Sequence, residues 1–198
     1  MHVKTYDELP FGFSWVIHEP MLRTSHALAH DGRVWLVDPV ALPEPLERAA
    51  ALGDPAGVIQ LLDRHGRDGR AIAERLGVPH LRLPDALPDT PFEVVRVLDV
   101  PKWREIALWW PEHEALVVAE AVGTGPIFRA GSQPVGVHPM LRALPPGALR
   151  DRRPRYLLVG HGSGVNGEAA AEGLQTALAR SRRDIPALVR KLPSLLRR

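Results

Sequence analysis

Val58-Ile59-Gln60-Leu61-Leu62-Asp63-Arg64-His65-Gly66-Arg67-Asp68-Gly69 is the stretch on which the fold turns. Its first five positions form a short, largely apolar run of the kind that a buried strand provides. The rest is crowded with ionisable side chains and leads into a helix expected from about Gly69 to Leu76. Asp68 stands where an N-cap belongs, and Gly77 followed by Pro79 stops the helix.

Upstream the pattern is that of strands. Phe13 to Ile17 is one, and Ser25 to His30 and Arg33 to Asp38 are two more, joined at Asp31-Gly32, a strong hairpin signal. A helix is expected from Pro45 to Leu52, with proline tolerated in its first turn and Gly53 at the C′ position. Downstream, His80 to Leu83 reads as a strand and 84–91 as a proline-rich loop. Strands are expected again at Phe92 to Leu98, Glu105 to Trp110, Ala115 to Ala119 and Tyr156 to Val159, and a short helix at Pro139 to Leu144. Asn166 is placed to cap a helix from Gly167 to about Arg180, and Ile185, Leu188, Val189 and Leu192 mark a last amphipathic helix, about 184–196. Strands leading and helices following in each half argue for an α/β sandwich.

Composition narrows the chemistry. The 198 residues are 45% hydrophobic and 24% charged, an ordinary globular balance sufficient for one substantial core. The absence of cysteine removes disulfide scaffolds, thiolate zinc sites and cysteine nucleophiles. No lysine follows a glycine, so there is no phosphate-binding P-loop. A net charge of +2 falls well short of a dedicated nucleic-acid binder; the arginines gathered at 150–155 and 180–198 read as solvated faces. Asp7, Glu8 and Glu19 interrupt the first twenty residues, and no apolar run reaches the roughly 20 residues that cross a bilayer. The expectation is a cytoplasmic protein that binds neither nucleic acid nor membrane.

Four pieces occur in order: Leu36-Val37-Asp38-Pro39 closing a hairpin, the stretch quoted above, Leu116-Val117-Val118-Ala119-Glu120-Ala121, and Leu157-Leu158-Val159-Gly160-His161-Gly162 before a long helix. This order resembles the metallo-β-lactamase superfamily over about residues 13 to 180. There a strand ending in Asp is followed by His-x-His-x-Asp-His, a lone His, a Gly-Asp and a Gly-His-Gly. The resemblance implies one domain over 1–198 with a four-layer αββα sandwich, its site where two sheets share an edge, and hydrolase as the formal class.

The departures bear on chemistry. Arg64, Gly66 and Gly69 hold histidine slots of the family motif, and only Asp68 fits it. Trp103 stands near the place of the lone histidine, His113 lies too close to Glu120 to serve, and Glu120 replaces the bridging Asp. His161 is kept, as is Asp38, which in the family supports the ligands from behind. Family enzymes use three imidazoles to hold the first zinc as a strong Lewis acid. None remains here, so the usual binuclear hydrolysis is not expected, and no cofactor is the first expectation. The alternative is a mononuclear site for one zinc or other divalent ion on Asp68, Glu120 and His161, activating water against an ester, lactone, phosphoester or thioester. Against it, Asp68 is also explained as an N-cap, Glu120 as a solvated strand end and His161 as a turn residue bonded to backbone. Without metal, carboxylates left in the pocket need another cation. Arg64 is expected to pair with Asp68 or Glu120, with Arg67 beside Asp68, and the pocket then suits a small anionic ligand or a partner. His65 is either a general base or a surface residue.

Other motifs fare worse. Gly162-Ser163-Gly164-Val165-Asn166-Gly167 matches a dinucleotide loop locally, but too little chain follows it. Ser163 lacks the flanking glycines of a nucleophile elbow. Trp103, Trp109 and Trp110 read as core, with exposed tryptophans a route to a homodimer.

Overall fold

The structure, a computed structural model, describes residues 1–187 and 189–190. Two sheets pack face to face. The first has the order β1 (Val3–Leu9), β2 (Gly12–Ile17), β3 (Thr24–His30), β4 (Arg33–Val37), β5 (Asp54–Gln60), β6 (His80–Arg82). Its first four strands are antiparallel and its last two run parallel to β4, with α1 (Pro43–Ala50) and α2 (Gly69–Leu76) as crossovers. The second has the order β13 (Val165–Asn166), β12 (Tyr156–Val159), β9 (Ala115–Val118), β8 (Trp103–Trp110), β7 (Glu93–Val100). A small pair, β10 (Val122–Gly123) and β11 (Gly136–Val137), precedes β12, and α3 (Glu168–Arg180) follows β13.

Strand alternation assigns every layer. Trp35, Val37 and Ile59 face Leu108, Trp110, Val117 and Leu158 across the central core. Their neighbours Val34, Leu36 and Val58 point the other way, onto Ala49 of α1 and Ile72 and Ala73 of α2. Ala107, Leu116, Val118, Leu157 and Val159 lie under Ala170, Leu174, Ala177 and Leu178 of α3. The result is helix, sheet, sheet, helix, as the resemblance implied.

The sequence-based boundaries need some correction. The hairpin at Asp31-Gly32 forms with φ of 47° and 72°, the left-handed pair that a tight turn joining twisted strands requires. The first helix begins earlier, at Pro43, because proline fits the first helical turn and lacks an N–H to satisfy. Asp68 occupies the N-cap position of α2 but caps nothing with its side chain. Asn166 is not a cap at all: it pairs with Tyr156 in β13, and Gly167 at φ 72° opens α3. The strand β1 was not expected; its charged Asp7 disguises a strand position, accepting a bond from the Gly164 N–H at 2.8 Å. The expected helix over 184–196 lies largely outside the described residues. No helix among the described residues is long and apolar enough to cross a membrane.

The sheets are joined by backbone at one edge. Bridges pair Arg23 with His161 and Leu62 with Glu105. The Thr24 N–H donates to Gly160 O at 2.8 Å and the Ile106 N–H to Leu61 O at 2.9 Å. Gly160 also lies close against the end of β9 in its own sheet: a Cβ there would lie 2.2 Å from the Ala119 carbonyl oxygen.

Candidate functional site

At this seam the ends of β4, β5, β9 and β12 converge. Asp38 follows β4 directly and adopts φ 44°, a left-handed conformation that Asp tolerates better than most residues. Its carboxylate is buried; Oδ1 accepts from the Leu61 N–H at 3.0 Å and Oδ2 lies 2.9 Å from His65 Nδ1. Burial works against its charge, but His65, Arg67 and the Leu61 N–H outweigh that and hold the carboxyl below its usual range. A carboxylate only accepts, so His65 carries its proton on Nδ1 and presents Nε2 as the remaining ring nitrogen. His65 is buried and its ring lines the cleft, so it is not a surface residue.

Arg67, at φ 36°, turns its guanidinium back into the seam. Nη1 donates to Thr24 O at 2.5 Å and Asp38 O at 2.7 Å, and Nη2 to Gly160 O at 3.1 Å. Nε is buried with no acceptor, and no carboxylate among the described residues lies within ion-pair distance. Burial lowers the Arg67 pKa from its ordinary value, opposed by Asp38.

His161 donates from Nδ1 to Met21 O at 3.0 Å, which leaves Nε2 as a lone-pair acceptor. That nitrogen is buried with no partner. Burial, reinforced by Arg67, lowers the ring's pKa to about 4, so it is neutral near pH 7. Its ring meets His65 edge-on at 5.4 Å between centroids and stacks on Phe128 at 5.6 Å.

Arg64 does what the missing-metal argument expected. Its Nη2 lies 2.8 Å from Glu120 Oε2, its Nη1 donates to Lys102 O at 3.0 Å, and its guanidinium sits 4.1 Å over the Trp103 ring. Trp103 is therefore a platform for this arginine as well as part of the core. Asp68 takes no part: Oδ2 accepts from the Ala41 N–H at 2.8 Å.

Two residues escaped the sequence reading. His138, after β11, places Nε2 3.6 Å from Glu120 Oε1 and its ring edge-on to Trp103 at 4.7 Å. Glu105 is fully buried behind Glu120, accepting from the Glu120 and Ala121 N–H groups at 2.8 Å each and from Trp103 Nε1 at 3.0 Å. Burial raises it to about 7. A carboxylate opening the apolar run Ile106 to Trp110 was the available signal for Glu105; His138, in the loop after the two-residue strand β11, had none.

The donor set does not fit a metal. Among the described residues no group of three or more His, Asp or Glu side chains is gathered as ligands. Asp68 is turned to backbone, Glu120 is held by Arg64, and the Arg64 and Arg67 guanidinium groups line the space that a dication would enter. That space is an open cleft of about 490 Å³ bounded by Glu19, Met21, Arg23, His65, Glu120 and His161, among others. Arg23 is ion-paired to Glu19, Nε to Oε1 at 2.5 Å. The glycine-rich 162–167 segment is consumed in folding β13 back against β12, with Thr124 Oγ1 donating to Ser163 O at 2.6 Å.

No family model matches this sequence, and no curated protein matches it. Solved structures do. DIM-1 metallo-β-lactamase exposed to ceftazidime superposes with a TM-score of 0.58 at 10% identity, over 91% of this chain and 100% of that one. A metallo-β-lactamase from Pontibacter korlensis gives 0.58 at 9% identity, over 88% and 98%. The chemotaxis sensor ODP, in a peroxy diiron species, gives 0.57 at 13% identity, over 88% and 94%. These identities establish a shared fold: this chain has the metallo-β-lactamase fold.

Proposed function

We propose that the cleft of this metallo-β-lactamase fold is a metal-independent site that holds a small oxyanion on Arg67. One observation carries the reading. Arg67 is a cleft-lining cation without a carboxylate partner among the described residues, and its Nε–H has no acceptor. A buried donor without a partner costs about 1–3 kcal/mol. A carboxylate or phosphate oxygen removes that cost and supplies the counter-charge. The neighbouring cations are already matched, Arg23 by Glu19 and Arg64 by Glu120.

A second reading, a mononuclear metal hydrolase on Asp68, Glu120 and His161, is favoured by the unpartnered Nε2 of His161. It requires Asp68 to leave Ala41 and Glu120 to leave Arg64, so it ranks below the first.

Elemental analysis of protein purified without chelator, followed by titration with inorganic phosphate and with citrate under calorimetry, separates the two. The expected result is substoichiometric metal, a melting temperature unmoved by chelator, and anion binding that Arg67→Lys weakens by removing the unpartnered Nε–H. One equivalent of zinc, iron or manganese that His161→Ala releases would establish the second reading instead.

A further inference from the structure

The Asp38–His65 pair has the geometry of a catalytic base, and nothing in oxyanion capture alone requires it. We propose that Asp38 and His65 act as a general-base dyad on a water held between His65 and His161. The site then hydrolyses a carboxylic ester or lactone whose carbonyl oxygen lies on Arg67, without metal. The proposal rests on the reading that Arg67 receives an oxyanion.

Three observations support it. First, Asp38 is buried, anchored by the Leu61 N–H at 3.0 Å, and bonded to His65 Nδ1 at 2.9 Å. That bond fixes the tautomer and leaves Nε2 as the basic nitrogen, on a ring that lines the cleft. Second, His161 has its Nδ1 proton committed to Met21 O, so its buried Nε2 is an acceptor lacking a donor. Two imidazole acceptors with ring centroids 5.4 Å apart call for a molecule that donates hydrogen bonds, and water does. Third, the Arg67 Nε–H is a donor lacking an acceptor in the same cleft. A hydrolytic transition state supplies what both lack: an O–H to give and a developing oxyanion to receive.

The step balances. The water oxygen bonds to the carbonyl carbon as its proton passes to His65 Nε2, and the carbonyl π electrons move onto oxygen beside Arg67. Collapse of the adduct re-forms the carbonyl and breaks the bond to the leaving oxygen, which takes the proton back from His65. Ester and water become carboxylic acid and alcohol. His65 and His161 touch the reacting water and are catalytic residues; Asp38 acts through His65 and is a positioning residue.

The test uses the full chain, treated with chelator, with p-nitrophenyl acetate and δ-valerolactone as probes and inorganic phosphate binding measured in parallel. Multiple turnovers are expected, slower in deuterium oxide because a proton is in flight. His65→Gln lowers kcat/KM by about 100-fold, while His2→Gln, on the exposed N-terminal segment, leaves it unchanged. Asp38→Asn lowers kcat with little change in KM, a split that a merely structural loss would not give. Should His65→Gln fail to fold, the wild-type isotope effect and His161→Gln, expected to lower kcat, carry the test. Chelated wild type that binds phosphate but turns over neither probe overturns the dyad and leaves the Arg67 reading standing. Loss of both overturns both. Turnover that survives folded His65→Gln, or that appears only when metal is added, overturns the dyad.

Discussion

Replacing His26 by glutamine should remove one proton from the acid unfolding of this protein. His26 lies in β3, fully buried, with Nδ1 2.8 Å from Ser14 Oγ. Burial, against the opposing attraction of Asp38, lowers its pKa from 6.5 to about 3. The unfolded chain therefore accepts a proton near pH 6.5 that the native protein refuses until about pH 3. The stability that neutral His26 permits is whole above pH 6.5 and is lost as pH falls, at about 1.4 kcal/mol per pH unit. At pH 5 the loss is about 2 kcal/mol. Urea unfolding at pH 8 and pH 5 measures it in both proteins. His26→Gln pays a packing cost at either pH, but that cost cancels in the difference between them. The pH 8 to pH 5 difference should shift by about 2 kcal/mol toward greater relative stability at pH 5 in the variant. An identical difference in wild type and variant would refute the reasoning.

Glu105 works in the opposite direction: its carboxyl, raised to about 7 by burial, favours the native state at low pH and loses that advantage as pH climbs through 7. In Glu105→Gln, urea unfolding should show pH 8 stability rising relative to pH 5 by about 2 kcal/mol compared with wild type. Arg64→Ala strands the Glu120 carboxylate beside His138 and should cost about 1–2 kcal/mol, discounted because Arg64 is 40% exposed; adding Glu120→Gln should restore most of it. Asp68→Ala should cost about 1 kcal/mol through its lost bond to the Ala41 N–H and leave metal content as in wild type, by unfolding and elemental analysis. Gly160→Ala drives a Cβ to 2.2 Å from the Ala119 carbonyl and should lower stability by about 3 kcal/mol in the same unfolding assay.

The fold was legible because its layers are written as alternation. Val58 and Ile59 face opposite cores one residue apart, and so do Leu116 and Val117. The Asp31-Gly32 turn announces its hairpin by residue type alone. β1 was not legible, since Asp7 takes its bond from a glycine more than 150 residues away. The site was legible in part. Arg64 in a histidine slot of the resembled motif pointed to its ion pair, which forms with Glu120. Asp68 was misread as a cap because a carboxylate at a helix start looks alike whether it caps or bonds a neighbouring loop; the Ala41 N–H that it accepts from is 27 residues away. The partnership of Asp38 with His65 and that of His138 with Glu120 are set by how strand ends and loops converge in space, which no local spacing encodes.

Arg67 grips the carbonyls of Thr24 and Asp38 from one sheet and of Gly160 from the other. A molecule seated on that guanidinium therefore loads the rivet between two halves of the protein instead of closing a hinge. Occupancy should then be felt as stiffening along a line, with amide hydrogen exchange at Thr24, Asp63 and Ile106 slowing together while the outer strands keep their own pace.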